Sequence, residues 1–197
     1  MTKRQAQRVL GKFQGTGLNL GDDRATTWLA NNLSKIKTTM KQDTFIESSK
    51  KAVRKDIYPG RMFFFGYSPK TKDQLHFWDE FPVVVVIHPK PRGFLGLNLH
   101  YLPFSKRANF LNELLKYVDD PKYIANKNPA ALMEVTYGIL KASTKLADFK
   151  PCIKRYYYNH VVTKVSFIPP TEWKTVPFFP LDKFKGASRA DVWRLSR

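Results

Sequence analysis

The hydrophobic rhythm of the chain changes at Pro59-Gly60. Upstream, Trp28, Leu29, Leu33, Ile36 and Met40 recur at three- and four-residue steps, which predicts a helix over 24–40 with Asp22 or Asp23 as its cap. The first twenty residues begin as a basic helix carrying Arg4, Arg8 and Lys12, and break at Gly15, Gly17 and Gly21. A weaker helix over 44–53 runs into "KKAVRK", whose cations suit a helix C-terminus. Downstream, the period becomes that of strands. "RMFFFGY" reads as one strand, and "SPKTKD" as a loop. "FPVVVVIH" is a β-branched run of the kind buried on both faces of a sheet. "GFLGLNLHYL" puts Phe94, Gly96, Asn98 and His100 on one face and Leu95, Leu97, Leu99 and Tyr101 on the other. The loop "HPKPRG" is too short for a parallel crossover, so these last two strands form an antiparallel hairpin. Pro89 is expected to stop the first of them.

Ser105 is positioned to cap a helix whose stripe is Ala108, Leu111, Leu115 and Val118, widened by Leu114 and ended by "DDP". Asn128-Pro129 starts another helix, reaching about residue 143. "KPCIKRYYYNHVV" reads as a short helix passing into the strand "TKVSFI". "PPTEW" turns, and "TVPFFP" returns as a proline-limited edge strand. Ser188 and Asp191 have the spacing of a capping box. The fold class is therefore α+β: a small antiparallel sheet or partly open barrel with inserted helices. It divides into a basic helical segment, 1–58, and an α+β core, 59–197.

Composition sharpens this. Hydrophobic residues make up 43% of the 197 and aromatics 14%, enough for a real core and too much for a disordered chain. Net charge is +18, from 34 Lys and Arg against 16 Asp and Glu. Self-repulsion at that level costs stability and points to a polyanionic partner. The excess concentrates at the two ends. Cys152 is the single cysteine, so neither an internal disulfide nor a cysteine metal site is expected. The N-terminus is charged from Lys3 and no long apolar stretch follows, so neither signal peptide, membrane span nor membrane partner is expected.

Three kinds of chemistry fit the polar residues. A metal-dependent nuclease could use Asp79 with a strand bearing Glu-x-Lys. Here the position of Glu holds His88, a poorer ligand for a hard cation, followed by Pro89-Lys90. The competing reading makes Asp79 and Glu80 a solvated turn. His76, His88, His100 and His160 lack the spacing of a metal-ligand pair, and His100 reads as a hydrogen-bonded structural residue. No cofactor is implied.

Nucleic-acid binding is better supported, because cations and aromatics interleave at "KPRGF", "IKRYYYNH" and "EWKTVPFF". Lys and Arg there can neutralise phosphates, and the aromatics can stack on unpaired bases. The candidate contacts are Arg4, Arg8, Lys50, Lys51, Arg54, Lys55, Lys90, Arg92, Lys106, Arg107, Lys154, Arg155 and Tyr157. The bland alternative packs alternate tyrosines inward and leaves the cations solvated. A third possibility is docking on an acidic protein surface, for which exposed Arg and aromatics are equally suited.

"GRMFFFGYSPKTKDQLHFWDEFPVVVVI", "GFLGLNLHYLPFSKRANFLNELL" and "IKRYYYNHV…IPPTEWKTVPFFPLDKFKGAS…VWRLSR" resemble small, basic, virion-associated proteins of large contractile-tailed (myovirus-type) bacteriophages. "GLNLHYLP" is the most specific piece, and the first sixty residues carry no such resemblance. It implies no catalytic residues. It implies a virion-associated protein and leaves its place open among the head–tail junction, the packaged DNA end and the baseplate. Together with the charge it favours a non-enzymatic structural or assembly protein contacting DNA or an acidic partner, over protein docking without DNA or a nuclease. Its partners would be phage structural proteins and DNA, in a multi-copy assembly. It would be found in the virion, and in the host cytoplasm during assembly.

Overall fold

The computed structural model describes residues 57–118, 138, 147–174, 177 and 181–195. The helices expected before residue 57 and after Asn128-Pro129 lie outside the described residues, as does most of "TVPFFP".

The described elements are β1 (Met62–Phe64), β2 (Trp78–Asp79), β3 (Val83–Lys90), β4 (Gly93–Asn98), α1 (Phe104–Val118), β5 (Ile153–Tyr157), β6 (Ser166–Ile168), β7 (Phe184–Lys185) and α2 (Arg189–Leu195). Five strands form an antiparallel sheet in the order β5-β4-β3-β1-β6, and β2 pairs with β7 as a separate ribbon. The expected α+β architecture holds, as an open sheet and not as a barrel. No helix among the described residues is long and apolar enough to cross a membrane.

Both sheet faces are buried, which is why β3 reads as an unbroken apolar run. Met62, Phe64, Val83, Val85 and Leu97 face one cluster, with Ala108, Leu111, Leu114 and Leu115 of α1 and the buried Cys152, Trp173, Leu181 and Val192. Phe63, Phe65, Val84, Val86, Phe94 and Tyr156 face the other, and their rings meet edge-on or stacked. Burying one large apolar side chain stabilises the fold by about 1.5–3 kcal/mol, so these two layers dominate its energetics.

Four local expectations are corrected. β3 runs through Pro89 to Lys90. Pairing with β1 reaches no further than Val85, so the proline nitrogen faces no ladder partner on that side and costs no hydrogen bond. β4 ends at Asn98, and Leu99–Tyr101 is a 3-10 turn held by the Asn98 side chain accepting from the His100 N–H. α1 starts at Phe104, so Ser105 lies inside its first turn and does not cap it. "IKRYY" is strand β5, preceded by the 3-10 turn Ala147–Cys152. The capping box is present: Ser188 Oγ bonds the Asp191 carboxylate at 2.6 Å and accepts from its N–H at 3.2 Å.

Candidate nucleic-acid interface

One extra residue in β3 decides which cations share a face. Register runs Val86↔Gly96, then His88↔Leu95, so Ile87 forms a bulge. Without it, Lys90 would point with Val84 and Val86. With it, Lys90 pairs with Gly93, which pairs in turn with Tyr157. Lys90, Tyr157 and the neighbouring Arg155 (opposite Leu95) therefore stand on one face, while Lys154, opposite Gly96, stands on the other.

The turn between β3 and β4 is Pro91-Arg92. Arg92 takes φ of 61°, a left-handed conformation normally left to Gly or Asn. Its carbonyl accepts from the Tyr158 N–H at 3.0 Å, and the Pro91 carbonyl accepts from Arg155 Nη2 at 3.1 Å. Two bonds thus fasten the turn to β5. Gly93 is required there, since a Cβ would fall 1.9 Å from the Tyr156 carbonyl oxygen.

Lys90, Arg92 and Arg155 are exposed. The Arg155 guanidinium lies 4.9 Å from the Tyr157 ring centre, a cation–aromatic contact within the chain. Among the described residues no carboxylate lies within ion-pair distance of Lys90, Arg92, Lys154 or Arg155. Four cations elsewhere do have a carboxylate partner. Glu80 takes Lys183 and Lys185 at 3.0 and 3.6 Å, Asp182 takes Arg189, and Asp191 takes Arg194 at 2.8 Å.

A cleft of about 430 Å³ runs beside the outer edge of β5. The loop carrying Pro69, Lys70 and Thr71 forms one side, with Trp78, Tyr101, Lys154 and Arg155 also lining it. The Lys154 ammonium sits 4.4 Å from the Tyr101 ring centre. Burial lowers its pKa from the ordinary lysine value, partly offset by Cys152. Burial raises the Tyr101 hydroxyl's pKa, helped by nearby Asp79, so it stays neutral beside that amine.

Two lining residues, Asp79 and Asn98, belong to a polar network that the sequence misread. Asp79 is buried, not a solvated turn. Its Oδ2 accepts from Asn98 Nδ2 at 3.0 Å and lies 2.7 Å from His100 Nδ1; its Oδ1 accepts from the Phe81 N–H at 3.1 Å. A carboxylate only accepts, so His100 carries its proton on Nδ1. His100 is thus a hydrogen-bonded structural residue as expected, though in the 3-10 turn after β4 and not on the strand. Among the described residues no group of three His, Cys, Asp or Glu is placed to hold a metal.

Arg107 is a correction. It was expected on the rim and is 1% exposed. Its guanidinium donates to the Pro177 carbonyl and, at 2.9 Å, to that of Leu102. Burial lowers its pKa to about 10, against the opposing pull of Asp182. Lys106 is half-buried in the first turn of α1 and engaged in contacts of its own. Arg4, Arg8, Lys50, Lys51, Arg54 and Lys55 lie outside the described residues. Sequence reasoning missed Trp78 and Tyr101 as cleft residues. For Trp78 the available signal was the aromatic–acid pair in "FWDE".

Residues 23–194 match the family model described as the phage T4 terminal DNA protecting protein. The match starts well inside the first sixty residues, where no resemblance was expected. No curated protein and no solved structure matches. With well over half of its length matched, the chain belongs to the phage T4 terminal DNA protecting protein family.

Proposed function

We propose that this protein is a non-enzymatic component of the phage particle that holds the end of the packaged DNA through a basic rim. The family's name supplies the DNA end. The observation that carries the reading is the grouping of Lys90, Arg92 and Arg155 at one corner, exposed and without a carboxylate among the described residues. Arg155 also ties the turn through Pro91, but no carboxylate among the described residues offsets the three like charges, and their mutual repulsion costs stability. Phosphates laid along the corner relieve that repulsion and release counterions. The N-terminal cations Arg4, Arg8, Lys50, Lys51, Arg54 and Lys55 add to the net positive charge that favours a polyanion. Contacts of this kind go to the backbone, so binding is weakly selective for sequence. The site of action is the virion, with other phage structural proteins as neighbours.

The test compares linear duplex DNA with the same DNA as a closed circle, near physiological salt. Tighter binding to the linear form, with its ends shielded from an added exonuclease, supports the reading. Equal binding to both forms removes the preference for ends. No binding to either, with capture of a phage structural protein, favours docking on an acidic partner instead.

A further inference from the structure

The rim accounts for Lys90, Arg92 and Arg155, but not for the cleft beside them. Its volume of about 430 Å³ lies within the ~300–1,000 Å³ of small-ligand sites. Its chemistry divides in two. Lys154 and Lys70 supply positive charge, with Arg155 at the mouth. Trp78 supplies a large half-exposed ring that makes no ring–ring contact among the described residues. Tyr101 is no free platform, because its face holds the Lys154 ammonium in place.

The edge strand adds a backbone donor. Tyr158 donates inward to Arg92, whereas the Tyr157 N–H points outward to the Tyr67 hydroxyl at 3.2 Å. By the alternation of an antiparallel ladder, the Arg155 N–H also points outward, along the cleft. A fixed N–H, an ammonium and an aromatic plane together match a phosphate joined to a planar ring. Two of its polar lining residues are already paired with each other, since Asp79 accepts from Asn98.

We propose that the cleft takes one unpaired nucleotide at the end of a DNA strand, its base on Trp78 and its phosphate on Lys154 and the Arg155 N–H. This rests on the DNA-end reading above and deepens it. A double helix is too wide for such a cleft, so the occupant must leave the stack. A strand end does this most cheaply, because it has only one stacking neighbour to lose. Lys154, whose burial without an anion lowers its pKa, is better solvated once a phosphate sits beside it.

The experiment uses the full chain and hairpin duplexes carrying 2-aminopurine, either as a single-nucleotide overhang or paired in the stem. A separate dye reports overall binding by anisotropy. The proposal expects the overhang probe to change its fluorescence on binding and the paired probe to stay unchanged. It also expects the overhang duplex to bind about tenfold more tightly than the blunt one. Trp78→Leu and Lys154→Met should each remove most of that preference while blunt-duplex binding persists. If blunt and overhang duplexes bind equally, the probe stays silent and neither variant matters, the cleft proposal is wrong and the rim reading survives. If no duplex binds at all, both fall. Circular dichroism on both variants separates loss of the cleft from loss of the fold, and a misfolded Trp78→Leu leaves the wild-type comparison of overhang with blunt as the deciding measurement.

Discussion

Lys154 lies with its ammonium 4.4 Å from the ring centre of Tyr101, on the opposite sheet face from Arg155 beside it. Adjacent residues of one edge strand therefore carry cations in different environments, one half-buried and one exposed. Burial lowers the Lys154 pKa below the ordinary value of 10.5. Any anion affinity owed to its charge is present at low pH and lost as pH rises through that lowered value, before exposed lysines discharge. Overhang-DNA affinity measured from about pH 7 to about pH 10 should fall in the wild type and be weak and flat in Lys154→Met. Stability moves the other way. The unfolded chain holds this proton to higher pH, so the wild type gains stability relative to the Met variant in the same window.

Gly93→Ala should loosen the corner. The added Cβ meets the backbone oxygen of Tyr156, which cannot rotate away as a side chain could. We expect a loss of about 1–3 kcal/mol in denaturant unfolding, the usual cost of overpacking, and hydrogen exchange concentrated in β4 and β5.

Arg107 and Arg155 should behave oppositely. Arg107→Met strands the Leu102 and Pro177 carbonyls in the interior, at about 1–3 kcal/mol for each. Arg155→Gln gives up one exposed bond to Pro91 and an exposed ring contact, costing less than about 1 kcal/mol. Its effect should fall on DNA affinity instead. Thermal unfolding and anisotropy on the two variants check the contrast.

Asp79→Asn tests the buried network. The carboxylate accepts from Asn98, Phe81 and His100, whereas an amide offers one accepting oxygen and a donating nitrogen. At least one donor is left facing another donor, and stability should drop by about 1–3 kcal/mol.

Most of the sheet was legible in the sequence, because β3 and β4 carry a long apolar run and a clean alternation joined by a proline turn. The Ser188 cap was legible because its partner lies three residues away. β5 was not. "IKRYYYNH" has too little apolar contrast to fix a period, and its strand state comes from pairing with residues some sixty positions earlier. The bulge at Ile87 was equally invisible, since the run Val83 to Ile87 is β-branched throughout and has no alternation for an extra residue to break. That one residue sets the face of Lys90, so the rim could be read as a composition but not as a geometry. Arg107 shows the converse. Its place beside Lys106 looks like a cationic patch, yet on a helix these two point in different directions, and one of them points into the core.

The central claim, that phosphates occupy the exposed corner, is tested most directly by the salt dependence of duplex-DNA binding for the full chain and for a Lys90→Gln, Arg92→Gln, Arg155→Gln triple variant. The wild-type log affinity should fall steeply and linearly with log salt, and the variant's slope should be shallower by roughly 2–3, about one unit for each phosphate contact removed. A wild-type affinity that stays flat from low to moderate salt, or identical slopes for the two proteins, would contradict it.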